Sequence, residues 1–95
     1  MAAYILAQLD IHDPEGFQRY REKVAPLVAT FGGRYLVRGG EVTTLEGELA
    51  AARLVIIEFA DRKAAERWYF SDEYQEILPL RLNSAKGSAV IVDGV

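Results

Sequence analysis

Six side chains in this sequence offer chemistry beyond packing: Arg38, Glu58, Trp68, Ser71, Tyr74 and Arg81. Glu58 follows the apolar run Leu54-Val55-Ile56-Ile57. In a strand, alternation puts it on one face with Leu54 and Ile56. Gln8 and Asp10 fall on the corresponding mixed face of an earlier strand. If Arg34, Leu36 and Arg38 share that face, Arg38 meets Glu58 across two antiparallel strands. A buried carboxylate needs such a partner. The pair is either a polar pocket floor with a tunable acid or base, or a structural ion pair.

Trp68, Tyr69, Ser71 and Tyr74 form a dense aromatic-polar cluster, and Arg81 follows in a segment expected to fold back beside them. Trp and Tyr give flat apolar walls with one hydrogen-bonding tip. An arginine with tyrosine hydroxyls suits a small carboxylate. The plainer reading makes Trp68 a core anchor, with Tyr74 packed beside it and Arg81 paired with an acid. Tyr20 lies on an apolar helical stripe and reads as core. His12, the one histidine, reads as a solvated loop residue.

Other chemistries find little support. There is no cysteine and one histidine, which excludes thiol catalysis, thiolate metal sites and a multi-histidine metal site within one subunit. The glycines at 32–33 and 39–40 lack the spacing of phosphate-cradling loops. The net charge of −3, with no basic run longer than two, argues against nucleic acid. Apolar runs are too short to span a membrane, and the start MAAYILAQLD does not read as an export signal. A cytoplasmic protein without metal or cofactor is the expectation.

The elements that must position these residues are legible from periodicity. Residues 3–11 alternate as a strand, with Ile5, Ala7, Leu9 and Ile11 on one wholly apolar face. Asp13-Pro14 opens a helix, and Phe17, Tyr20, Val24, Leu27, Val28 and Phe31 form its apolar stripe. Pro26 should kink or loosen it, and Gly32-Gly33 should end it. Strands are expected over 34–38, 53–59 and 87–92. Residues 41–46 could extend as an arm, and 49–52 form a loop. Asp61 caps a second helix running toward Phe70. Ser71 caps a short piece over 72–78 that Pro79 interrupts, with a further turn around 80–83.

The order β-α-β-β-α-β over residues 1–95 is that of a single α+β, ferredoxin-like sandwich. Right-handed crossovers put the helices on one face of a four-stranded antiparallel sheet, with spatial order fourth, first, third, second. The uncovered face would expose Tyr4, Leu6, Leu54 and Ile56. A homodimer packed sheet on sheet would cover it.

The segments RYLVRGG (34–40), EG (46–47), RLVIIEF (53–59), AAERWYFSDEYQ (64–75), Arg81 and VDG (92–94) resemble domain-of-unknown-function family 1330, as do the Asp10–Pro14 stretch and the Tyr20…Val24…Pro26…Gly32-Gly33 spacing. The resemblance spans essentially the whole chain. It implies a dimeric α+β barrel, a superfamily with cofactor-free monooxygenases, lactone isomerases and haem enzymes. The family's recurring polar positions fall on the six residues named at the outset. Ala51 and Ala60 depart from it, standing where members often carry proline. Haem would need an axial ligand, usually histidine, and His12 lies in a loop.

Two functions follow. One is a small-molecule site between the sheet's open face and the second helix region. There Arg38 and Arg81 hold an organic anion, with Trp68 at its wall, Tyr74 and Ser71 orient it, and Glu58 moves a proton in cofactor-free acid–base chemistry. The other is a non-catalytic dimeric regulatory or scaffolding module, with no enclosed cavity and an exposed Glu58.

Overall fold

A computed structural model describes residues 1–95. Strand β1 (Ala3–Ile11) leads to helix α1 (Pro14–Thr30), then β2 (Arg34–Arg38), β3 (Arg53–Phe59), α2 (Arg62–Tyr69), α3 (Asp72–Leu82) and β4 (Ala85–Asp93). The sheet is antiparallel in the order β2-β3-β1-β4, as the split βαβ pattern requires. The fold is α+β and ferredoxin-like.

Local chemistry sets the helix ends. The Asp13 side chain accepts from Gly16 N at 3.2 Å, Asp61 from Ala64 N at 2.8 Å, and Ser71 from Tyr74 N at 3.1 Å. Each satisfies one orphan donor of a first turn. At the end of α1, Gly32 adopts φ 81°, Gly32 N donates to Ala29 O and Gly33 N to Val28 O. This is a Schellman stop that a residue with a Cβ would resist. Both prolines are tolerated inside helices: α1 runs through Pro26, and α3 continues through Pro79 to Leu82. The interruption expected at Pro79 does not occur. Asn83 N donates to Pro79 O at 2.9 Å, so the final turn is closed across the proline.

The core lies between the helices and one sheet face. Ile5, Ala7 and Leu9 of β1 and Ile57 and Phe59 of β3 meet Phe17, Tyr20, Val24 and Val28 of α1, Ala65 and Trp68 of α2 and Tyr74 and Leu78 of α3. On the opposite face Tyr4, Leu6 and Gln8 pair with Glu58, Ile56 and Leu54 on one side and with Val92, Val90 and Ser88 on the other. Leu6 and Ile56 are half-buried, and Val90 and Val92 exposed. No helix is long and apolar enough to cross a membrane.

One irregularity redirects the site. Along β2, Arg34 pairs with Glu58 and Tyr35 with Ile57, but Val37 then pairs with Ile56 and Arg38 with Val55. Leu36 is the extra residue of a β-bulge. A bulge shifts strand parity by one, so side chains beyond it change face. Arg34 stays on the open face with Glu58, whereas Arg38 points to the helical side with Val55.

Candidate functional site

A cavity of about 220 Å³ opens between α1, the helical face of the sheet and the α2–α3 corner. Its wall is largely aromatic. Phe17 and Tyr20 of α1 have ring centroids 5.5 Å apart, and Tyr20 lies 6.4 Å from Tyr74, nearly edge-on. Tyr74 lies 4.2 Å from Trp68. The i, i+3 spacing of Phe17 and Tyr20 puts them on one face of α1. Trp68 and Tyr74 converge because Ser71 hinges the two helices. Its hydroxyl donates to Trp68 O at 2.7 Å while it caps α3. Ser71 thus spends its hydrogen bonds on the backbone and positions the aromatic pair instead of lining the cavity.

Arginines stand on this wall without ion-pair partners. Arg81 is 8% exposed, and its Nε has no acceptor. Trp68 is 2% exposed, with its Nε1 equally unpartnered. Arg53 Nε is the third buried donor without a partner. The chain's two ion pairs lie elsewhere, Arg34–Glu58 at 2.6 Å and Arg62–Asp93 at 3.0 Å. Arg38 stacks over Tyr35 with its guanidinium carbon 4.9 Å from the ring centroid, and Arg53 over Phe17 at 5.4 Å. Such contacts hold a cation on an aromatic face and leave its edge donors free. Gly39, at φ 72°, makes room for Arg53, because a Cβ there would run into the guanidinium.

The titrating groups bear the mark of enclosure. The Tyr20 and Tyr74 hydroxyls lie 2.8 Å apart in the interior. Burial pushes the Tyr20 phenol well above its ordinary value, and the neighbouring Tyr74 adds to that. Burial raises Tyr74 as well, opposed by its hydrogen bond to Tyr20 and by the adjacent Arg81. Tyr35 is raised by burial, with Arg38 pulling the other way. Burial lowers Arg53, and Arg21 and Arg38 add to the effect. These tyrosines are fixed as neutral hydrogen-bonding groups at any ordinary pH.

Four of the six candidate residues therefore meet in one cavity: Arg38, Trp68, Tyr74 and Arg81. Glu58 does not. It lies on the other side of the sheet, bridged by Arg34 and, at 3.4 Å, by the Tyr4 hydroxyl, beside a separate shallow hollow that includes Gly32 and Ala60. The expected Arg38–Glu58 pair is replaced by Arg34–Glu58, because the Leu36 bulge carries Arg38 through to the helical face. The cavity also lies on that face and not on the open one. Tyr20, Tyr35 and Arg53 also line this cavity, and periodicity assigned them to core or left them unremarked. Arg53 did carry a signal: it shares strand parity with Val55, Ile57 and Phe59, and an arginine on an apolar face needs a reason. No three His, Asp or Glu side chains come together as a metal site would require.

Known proteins bear on this arrangement. The model of a domain of unknown function, DUF1330, matches residues 2–95. The chain belongs to the DUF1330 family. No curated protein matches it. Among solved structures, RPA0582 from Rhodopseudomonas palustris, a protein of unknown function, is 15% identical with a TM-score of 0.78, over 99% of this chain and 82% of that one. A dimeric ferredoxin-like protein of unknown function from Jannaschia sp. CCS1 is 15% identical with a TM-score of 0.69, over 99% and 100%. SnoaB from Streptomyces nogalater, a cofactor-independent oxygenase, is 13% identical with a TM-score of 0.64, over 99% and 93%. These likenesses establish the fold of this DUF1330 chain.

Proposed function

We propose that this DUF1330 protein binds a small, mainly apolar organic acid in the cavity between its helices and sheet. The observation that carries the reading is the meeting of three buried donors without acceptors, on Arg53, Trp68 and Arg81, in one cavity. An unpaired buried polar group costs free energy, about 1–3 kcal/mol each and more when charged. A fold keeps several in one cavity when a ligand supplies the acceptors. The wall's aromatic rings suit a flat apolar body, and its unpaired guanidiniums suit carboxylate oxygens. A cavity of roughly 150 Å³ accepts one benzene ring. The 220 Å³ here then fits one ring with short substituents.

Any cofactor-free proton transfer in this site would draw on Glu22 at the cavity wall, and not on Glu58 or on the Tyr20–Tyr74 pair, whose burial holds both phenols neutral. A fold shared with a cofactor-independent oxygenase accords with a small organic ligand but assigns no reaction. We also infer that the chain works as a homodimer, its open sheet face covering the same face of a second copy. The half-buried Leu6, Leu54 and Ile56 and the exposed Val90 and Val92 support this, as does the dimeric relative.

The test is thermal stabilisation by monocyclic aromatic carboxylates against their methyl esters. A ligand at about one hundred times its Kd stabilises the native state by roughly 2.7 kcal/mol. The acids should raise the melting temperature and the esters should not. Equal effects of acid and ester, or none from any acid, would overturn the reading.

A further inference from the structure

We propose that the cavity's ligand is ditopic, with a carboxylate held at the mouth by Arg21, Arg38 and Arg53 and a second oxygen acceptor held inside by Trp68 and Arg81. The inference rests on the organic-acid reading above and sharpens it to a substrate class: monocyclic aromatic acids that carry a carbonyl or comparable oxygen across the ring.

Two separate sets of donors motivate it. At the mouth, Arg21 and Arg38 are exposed, Arg53 is half-buried, and all three line the cavity. They are close enough for Arg21 and Arg38 to disfavour the charged form of Arg53. None makes an ion pair with a carboxylate of the chain. Glu22, the one acid on the wall, accepts instead from Gln18 Nε2 at 3.3 Å. Three like charges with a single carboxylate on the same wall, and no ion pair to it, repel one another, and an anion among them relieves that repulsion. The mouth stays partly in water, so a carboxylate lodged there keeps some of its hydration.

The inner set is different in kind. Arg81 Nε and Trp68 Nε1 are buried donors without acceptors, on residues that both pack against Tyr74. The aromatic row separates the two sets. Arg53 lies over Phe17 at one end, and Trp68 stands at the other, beyond Tyr20 and Tyr74. Among the arginines, Arg81 acts on Tyr20 and Tyr74 and Arg38, Arg53 and Arg21 act on Tyr35, while Tyr35 itself stands close enough to act on Tyr20. A mono-acid can satisfy one set only and leaves the other unpaired. A site built to hydrogen-bond an oxygen discriminates strongly against an analogue lacking it.

The experiment compares 4-acetylbenzoate with 4-isopropylbenzoate, which has the same outline and carboxylate but no second acceptor. Affinities are read on the unmodified protein from the emission of Trp68, its only tryptophan, or by calorimetry. The ditopic site predicts that 4-acetylbenzoate binds at least about tenfold more tightly, the smallest preference such polar discrimination should give. Arg81→Met should bring the two affinities together, and Arg53→Met should weaken both acids while preserving their ratio. Equal, measurable binding of the two acids to the unmodified protein overturns the ditopic assignment and leaves the organic-acid site standing. Absence of binding by both overturns the organic-acid reading itself. A preference that survives Arg81→Met removes the inner pole from Arg81.

Discussion

Replacing Arg81 by methionine should make the unliganded protein more stable while removing its preference for an acid with a second oxygen acceptor. The guanidinium is 8% exposed, its Nε has no acceptor, and no carboxylate pairs with it. It lies beside the Tyr74 hydroxyl, which retains Tyr20 as a partner at 2.8 Å when Arg81 is gone. Exchanging buried charge for a well-packed apolar side chain of similar volume is neutral or stabilising by about 1–4 kcal/mol. Arg81 has no ion-pair attraction to lose, so a gain of about 1 kcal/mol is expected. In a domain of this size that raises Tm by roughly 4–8 °C. The assay is thermal unfolding of both proteins at one concentration, since the Tm of a homodimer, the state proposed above, depends on concentration. Methionine is the informative substitution because alanine would add a void, which costs stability by itself. An R81M protein that melts below the unmodified one by an equivalent margin would show that Arg81 holds the fold together. The argument from unpartnered donors would then fail.

Other consequences are checked by denaturation and sedimentation. Tyr74→Phe should cost about 1–2 kcal/mol in urea unfolding because it strands the buried Tyr20 hydroxyl, and Tyr20→Phe should cost less because Tyr74 keeps Arg81 as a partner. The double variant should cost less than their sum by roughly 1 kcal/mol. Folded Tyr20 and Tyr74 keep their protons above pH 10.0, where the unfolded chain releases them. The unfolded state then binds fewer protons, so stability is flat below that pH and falls above it by up to about 2.7 kcal/mol per pH unit for the two together. Urea midpoints measured on either side of that value would show the break. Ile56→Glu, placed against Leu6 on the open sheet face, should convert a dimer into a 10.6 kDa monomer in sedimentation while leaving the helical-side cavity intact.

The strands and helices were readable because each buries one face. The alternation of Ile5, Ala7 and Leu9 and the stripe of Phe17, Tyr20, Val24 and Val28 are the inner surfaces of two layers, and their periods reveal them. The Ser71 cap was readable for the same local reason, since its hydroxyl answers a donor three residues on. The site was only partly legible. Arg38 reached the cavity through a bulge at Leu36, and no glycine or proline marks that position. A bulge is decided by pairing with β3, so simple alternation put Arg38 opposite Glu58, on the wrong side of the sheet. Pro79 looked like a helix stop, yet the surrounding packing carried α3 past it. Tyr20 was ambiguous because one residue can fill the core with its ring and serve the cavity with its hydroxyl, and sequence reports only the first.

Because Trp68 is the only tryptophan, the protein has a single indole N–H signal by nitrogen-edited NMR. It reports directly on whether an unpartnered donor awaits a ligand's oxygen. Titration with 4-acetylbenzoate should move that signal downfield and slow its exchange with solvent as the indole gains an acceptor. A signal that stays in place through millimolar additions of the acid would contradict the account.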